Sequence, residues 1–345
     1  MKLAVNLVYQ DAALLARAAE ELGYAIALAP EGYRSDAASV LGLVAGRTER
    51  IGLASGVMQI PARTPGLAAL TAATLDAVSG GRFRLGLGVS NPEVSDGWYG
   101  VAFDHPLQRT REYVEIVRAA LRGGPVRYEG RHFRLPRDGA GSAPLHVLTE
   151  PVRPDLPIYL AAVGPRNLRL AGEIADGWIG VFTSPELAAR AVAHLREGRA
   201  VVGRTLDGFE AMPCLPTAIM DDTAAAVDLV RGQYAYLLGI GDPERNFYVS
   251  LARQMGFDGA VEKVHELVRG GDRAGAAAAV PLDFVCATAL VGPVDRVAAR
   301  MREYAEAGVT TLGVMVSAAA TGTDGRLELL RLAARALRLS GVGED

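Results

Sequence analysis

DAVSGGRFRLGLGVSNPEVSDGWYG, residues 76–100, carries a helix end, an apolar strand and a polar loop in immediate succession. Ser79-Gly80-Gly81 breaks a helix, Phe83 to Val89 reads as a buried strand, and Ser90 to Tyr99 opens as a polar, aromatic loop. Gly86 and Gly88 strip one face of that strand of bulk, which implies that a backbone or a flat ligand lies against it. A buried strand running straight into a polar loop is how a parallel α/β enzyme presents its chemistry.

Working outward, the same strand-then-helix unit recurs. Leu3 to Val8, Ala25 to Pro30 and Ile51 to Val57 read as strands before this one, with helices near 14–22, 36–46 and 64–78. A helix starting near Pro106, a residue favoured in a first turn, ends at Gly123-Gly124. Val126 to Pro154 is less regular and suggests a short hairpin around Tyr128, Gly130, His132 and Phe133. Alternation resumes with strands at 158–162, 177–182, 210–218 and 311–316. Eight strands alternating with helices predict a (β/α)8 TIM barrel, α/β in class, over residues 1–345. The Ala-rich stretch at about 222–280 is too long for an ordinary crossover and reads as a mostly helical insertion. A doubly wound open sheet is the alternative, and no dinucleotide fingerprint follows the first strand to support it.

Half of the 345 residues are hydrophobic and 22% are charged, so a large core is expected and disorder is not. The net charge of −3, without a Lys or Arg run, argues against nucleic acid or an anionic membrane as partner. MKLAVNLVYQ looks like a first strand, not a signal peptide, and no apolar run approaches the roughly 18 residues of a spanning helix. Cys214 and Cys286 offer neither a disulfide framework nor metal spacing, and the five histidines show no motif, so no metal is expected. His105 reads as a helix-start residue and His132 as a hairpin residue. A cytoplasmic protein is the plain expectation.

Chemistry in such barrels sits at the C-terminal strand ends, which are Asn6 to Tyr9, Pro30 to Asp36, Ala54 to Gln59, Val89 to Tyr99, Ala162 to Asn167 and Val181 to Ser184. Glu31 follows the second strand directly, and its carboxyl group could move a proton or hold a substrate cation. Asp36 could do the same or cap the next helix. Ser55-Gly56-Val57 reads as a bulge at the rim. Gly164, Pro165, Arg166 and Asn167 open a helix whose first amides suit a phosphate, with an ordinary strand-to-helix turn as the alternative. Asp96, Trp98 and Tyr99 offer an acid, a flat wall and a hydroxyl for a substrate pocket, or loop packing at the mouth.

Four segments together resemble the luciferase-like superfamily: ASGVMQIPARTP (54–65), SGGRFRLGLGVSNPEVSDGWYG (79–100), LAAVGPRNLRLAGEIADGWIG (160–180) and ALVGPVDRV (289–297). Within it they look most similar to the deazaflavin-dependent oxidoreductase branch, and Asn246-Phe247-Tyr248 also fits. The resemblance implies a barrel with an insertion and either coenzyme F420 (an 8-hydroxy-5-deazaflavin) or FMN as cofactor. It implies catalytic roles for Glu31, Tyr99 and Asp96, although relatives commonly carry Glu and His where Asp96 and Tyr99 stand. It implies a cofactor site built from Asn6, Asp36, Ser55, Gly56, Val57, Ser90, Gly164, Pro165, Arg166, Asn167 and Gly177, with the Asp176-Gly177 turn aiding the phosphate. A non-proline cis peptide near Gly56-Val57 and a substrate pocket including Trp98 and Tyr33 complete the expectation. The activity implied is hydride transfer between reduced deazaflavin and a small organic substrate. The alternatives are a two-component monooxygenase fed reduced FMN by a separate reductase, and a flavin-binding protein without turnover. A homodimer is plausible for the family.

Overall fold

The computed structural model describes all residues except 33, 34, 138, 140, 318, 320, 321 and 345. Eight parallel strands carry the architecture: β1 (Lys2–Asn6), β2 (Ile26–Ala29), β3 (Gly52–Ser55), β4 (Phe83–Gly88), β5 (Ile158–Ala161), β6 (Gly177–Gly180), β7 (Glu210–Ile219) and β8 (Thr311–Met315). They hydrogen-bond in the order β7-β8-β1-β2-β3-β4-β5-β6, and β6 also pairs with β7. That is the topology of a (β/α)8 TIM barrel, with all eight strands where the apolar runs placed them.

The helices that follow the first six strands are α1 (Ala12–Glu21), α2 (Ala37–Ala45), α3 (Pro65–Val78), α4 (Pro92–Gly97), α5 (Pro106–Leu121), α6 (Pro165–Ile174) and α7 (Pro185–Val201). Their starts are written in capping chemistry. Thr64 caps α3 by accepting from Leu67 N–H at 3.2 Å, with Pro65 in the first turn. Asn91 caps α4 by accepting from Val94 N–H at 2.9 Å, with Pro92 behind it. This last helix corrects the reading of residues 90–99 as loop. Six residues are too few to show a helical period, although the Asn-Pro-Glu start is a cap signature.

The chain divides into two compact units by contact. The first comprises Met1–Ala25, Gly180–Ala193 and Glu210–Asp345. In it β1, β8 and β7 pair in register, Leu3 with Leu312 and Cys214 with Gly313. Residues 223–288 are largely helical: Thr223–Gly239, Phe247–Gln254, Asp258–Arg269, Arg273–Ala278 and Leu282–Thr288. A short strand, Leu290–Gly292, then adds to β7, an element too brief for the apolar pattern to single out. Phe182 packs edge-on to Tyr234 at 4.7 Å and against Tyr248 at 5.0 Å. Phe182 is buried at a left-handed φ of +48°, a conformation that its surroundings must enforce.

The second unit, Ile26–Ile179 with His194–Phe209, holds β2 to β5 and the residues around the candidate site. Two fully buried carboxylates organise its loops. Asp76, at 0% exposure, accepts from Arg153 N–H at 3.0 Å and from its guanidinium at 2.5 and 3.2 Å. Glu112, at 1%, accepts from the N–H groups of Arg131, His132 and Phe133 and so holds the Tyr128–Leu135 hairpin. Burial opposes the Glu112 charge, but those bonds and one from Gln108 overcome it and hold its carboxyl below the ordinary range. A depressed pKa stabilises the fold above the unfolded value and loses that contribution as pH falls through the folded one. Resistance to urea unfolding is therefore expected to weaken between about pH 5 and about pH 3, and less so in Glu112→Gln.

Candidate active site

Strand β4 shows first what its glycines are for. A Cβ on Gly86 would lie 1.9 Å from the carbonyl oxygen of Ser55, and one on Gly88 would lie 2.6 Å from Val57 Cγ2. The bulk these glycines avoid is therefore the chain's own β3 end, the first of the two alternatives that the bare strand face left open. Ser55 locks the approach: its hydroxyl accepts from Gly86 N–H at 2.9 Å and donates to Gly86 C=O at 2.8 Å. Ser55 is fully buried and its O–H donor is committed to this bridge. The next peptide, Gly56–Val57, is cis, as the resemblance implied.

Just past β2 and β3 lies a polar network. Glu31 accepts from Ala37 N–H at 3.1 Å, from Gln59 N–H at 3.2 Å and from the Arg63 guanidinium. Arg63 also reaches Asp36 at 2.7 Å, and Gln59 accepts from the Ser90 hydroxyl at 3.0 Å. The Glu31 side chain is only 3% exposed, so this is a desolvated, multiply bonded carboxylate facing a fixed cation. Such a group is an anchor; both of its oxygens are already spoken for. Asp36 caps α2 through Ser39 N–H at 2.7 Å. Burial works against its charge, but the bonds from Ser39 and Arg63 win and hold its carboxyl below the usual range. Arg63 and Gln59 organise this network, yet neither is a candidate by sequence pattern. A lone Arg in a loop carries no signal until the fold sets it beside Glu31.

The Arg63 Nε is buried and makes no hydrogen bond to any of the described residues. Ser90, which closes the network, sits at a left-handed φ of +67°, a costly conformation for a residue with a side chain. Tyr99 feels the same network. Burial raises its phenol pKa, the negative charge of Glu31 adds to this, and Arg63 opposes it. Tyr99 accordingly keeps its proton over the whole physiological range. Asp96 is exposed and accepts from Phe103 N–H at 2.9 Å, shaping the 96–103 turn. Trp98 is 65% exposed. Tyr33 lies outside the described residues.

Strand direction separates the expected phosphate residues. Gly164 lies past the C-terminal end of β5 and caps α6 without a side-chain bond. A Cβ there would meet nothing within 4 Å, and Pro165 and Arg166 are exposed beside it. The first amides of α6 thus face open space with no helical acceptor. The Asn167 amide donates to Ala161 C=O at 3.3 Å and closes the turn. Gly177 is a correction. It begins β6, pairs with Tyr159 and is buried, which puts it at the opposite end of the parallel strands from Gly164. Its neighbour Asp176 accepts from Ile158 N–H at 3.0 Å and from Arg118 at 2.8 Å, a purely structural pair of bonds. In the first unit, Asn6 ends β1 and hydrogen-bonds Cys214, opposing the burial that pushes that thiol up to about 12.

Comparison with known proteins agrees with this geometry. The model of a family described as luciferase-like monooxygenase matches residues 4–311. A Mycobacterium tuberculosis (strain ATCC 25618 / H37Rv) protein, provisionally named coenzyme F420-dependent oxidoreductase Rv3520c, is 40% identical over 92% of this chain and 96% of its own. A 5,10-methylenetetrahydromethanopterin reductase of Methanopyrus kandleri is 30% identical over 87% of each chain. Among solved structures, the coenzyme F420-dependent tetrahydromethanopterin reductase from Methanopyrus kandleri superposes with a TM-score of 0.82 at 26% identity, covering 97% of both chains. The monooxygenase RslO1 from Streptomyces bottropensis, at 22% identity and a TM-score of 0.72, shows the shared fold. The chain belongs to the luciferase-like monooxygenase family and is an enzyme of that family. No helix among the described residues is long and apolar enough to cross a membrane.

Proposed function

We propose that this enzyme uses reduced coenzyme F420 to transfer a hydride to a small organic substrate. The observation that carries the reading is the N-terminus of α6, with uncapped amides and open space at Gly164 directly after a barrel strand. The F420-dependent name of a relative 40% identical over 92% of the chain supports the choice of cofactor.

The residues present fit such a group. The amides of Arg166 and Asn167, with the positive end of the α6 dipole, would hold its phosphate, and the exposed guanidinium of Arg166 would add a charge-assisted bond. The Gly56–Val57 peptide would shape the surface behind its ring. When bound, reduced F420 supplies a hydride from the carbon that replaces the flavin ring nitrogen and reacts poorly with oxygen. The chain's own part is to hold and to protonate. Glu31 and Asp36 fix Arg63, whose positive charge would favour a negatively charged atom of cofactor or substrate nearby. Tyr99, kept protonated by burial and by Glu31, would give its phenolic proton to the substrate atom left electron-rich by hydride arrival, with solvent restoring it.

A reduced-FMN monooxygenase is the second reading, supported by the family's own description. Fluorescence titration separates the two. F420 is expected to bind at least about tenfold tighter than FMN, a difference of roughly 1.4 kcal/mol. A preference for FMN, with oxygen consumed when substrate is added, would overturn the F420 reading. Gly164→Leu offers a second check, because the φ of −78° and the free space admit a side chain. Its thermal midpoint should stay unchanged while F420 affinity drops about tenfold or more. Unchanged affinity would return Gly164 to an ordinary turn.

A further inference from the structure

Two histidines that lack metal spacing in the sequence meet in space. One donor atom from each of Asp104, His105 and His132 lies within 4.8 Å of the other two. The imidazole centroids of His105 and His132 are 6.1 Å apart, and Asp104 Oδ2 stands 3.6 Å from His105 Nδ1. His132 Nε2 is buried and makes no hydrogen bond to any of the described residues. A shielded ring nitrogen without a protein partner is an unmet hydrogen-bonding demand.

The chain fixes each member from a different side. His132 is held through its backbone N–H by Glu112 at 2.8 Å. His105 occupies the N-cap of α5 at a φ of +41° and makes no capping bond with its side chain. Asp104 gives one oxygen to Arg109 at 2.6 Å, which leaves the other facing His105.

We propose that Asp104, His105 and His132 form a binding site for a borderline divalent transition ion, of which zinc is the type. Two imidazoles and one carboxylate are a zinc donor set, and water completes the tetrahedron. Ligand atoms about 2.0–2.1 Å from zinc stand roughly 3.3 Å apart in that geometry. The Asp104–His105 spacing is already near this, and rotation of the exposed Asp104 and His105 side chains closes the rest onto the fixed His132. Bound metal would tie the start of α5 to the Tyr128–Leu135 hairpin, and so pin the 96–104 segment that carries Tyr99.

The test uses the full chain, free of any affinity tag and stripped with a chelator. Zn²⁺ is titrated against a chromophoric competitor, and Co²⁺ is added to read coordination from its visible absorption. One equivalent per chain is expected, with the intense absorption of a four-coordinate cobalt site. Affinity should fall at least about tenfold in His132→Gln and in His105→Gln and stay unchanged in His194→Gln. His105→Gln alters an exposed side chain, so it reports on binding even if His132→Gln fails to fold. No zinc uptake by the stripped protein, or equal affinity in His105→Gln, overturns the assignment.

Discussion

Gly86→Ala is expected to cost more stability than Gly88→Ala on the same strand. The new Cβ would need to sit 1.9 Å from the Ser55 carbonyl oxygen and 3.1 Å from its carbonyl carbon. A flexible side chain could swing aside, but this neighbour is backbone, and the Ser55 hydroxyl pins it to Gly86 through two hydrogen bonds. Either β3 and β4 separate or both bonds break. Overpacking a tight core costs about 1–3 kcal/mol, and two buried polar groups left unpaired add about 1–3 kcal/mol each. The expected result is loss of soluble protein, or a denaturation midpoint far below wild type. Gly164→Ala is the control, since a methyl there meets nothing. If Gly86→Ala unfolds at the wild-type denaturant concentration, the Ser55 bridge does not set the spacing between β3 and β4.

The same position shows where sequence reading succeeds and where it stops. Apolar runs such as IYLAA and GWIGVF lie on strands because a strand of a parallel sheet is buried on both faces, and burial on both faces erases alternation. The glycines of β4 say rightly that something presses close. They cannot say whether a ligand or the neighbouring strand does so, because that depends on which residues the sheet brings alongside. The apolar run 177–182 rightly puts Gly177 at the start of its strand, and only the pairing with Tyr159 shows how far that start lies from Gly164. Arg63 with Glu31, and His105 with His132, are separated by too much chain for local spacing to register. Glu31 itself is legible as a carboxylate in the right place. Its three donors are not, and they turn a candidate acid into an anchor.

That distinction predicts opposite signatures for two isosteric changes. Glu31→Gln keeps an acceptor but removes the charge that faces Arg63, and its new amide cannot accept from both Ala37 and Gln59. Breaking a buried, bonded pair from one side costs about 3–5 kcal/mol, so the midpoint of thermal unfolding should fall by several degrees. Turnover should fall as well, through Arg63, in proportion to the loss of order. Tyr99→Phe removes one hydroxyl from a half-buried ring and should leave the midpoint within about 1 °C of wild type. If Tyr99 delivers the proton, kcat should nonetheless drop by about 10²–10⁴, the range that general acid catalysis supplies. The wild-type rate should stay flat with rising pH until the phenol ionises, above the ordinary tyrosine value because burial and Glu31 raise it. A rate that falls below neutral pH instead would point to a histidine or a water as donor. Tyr99→Phe with full kcat, beside a folded but inactive Glu31→Gln, would return the acid's role to Glu31.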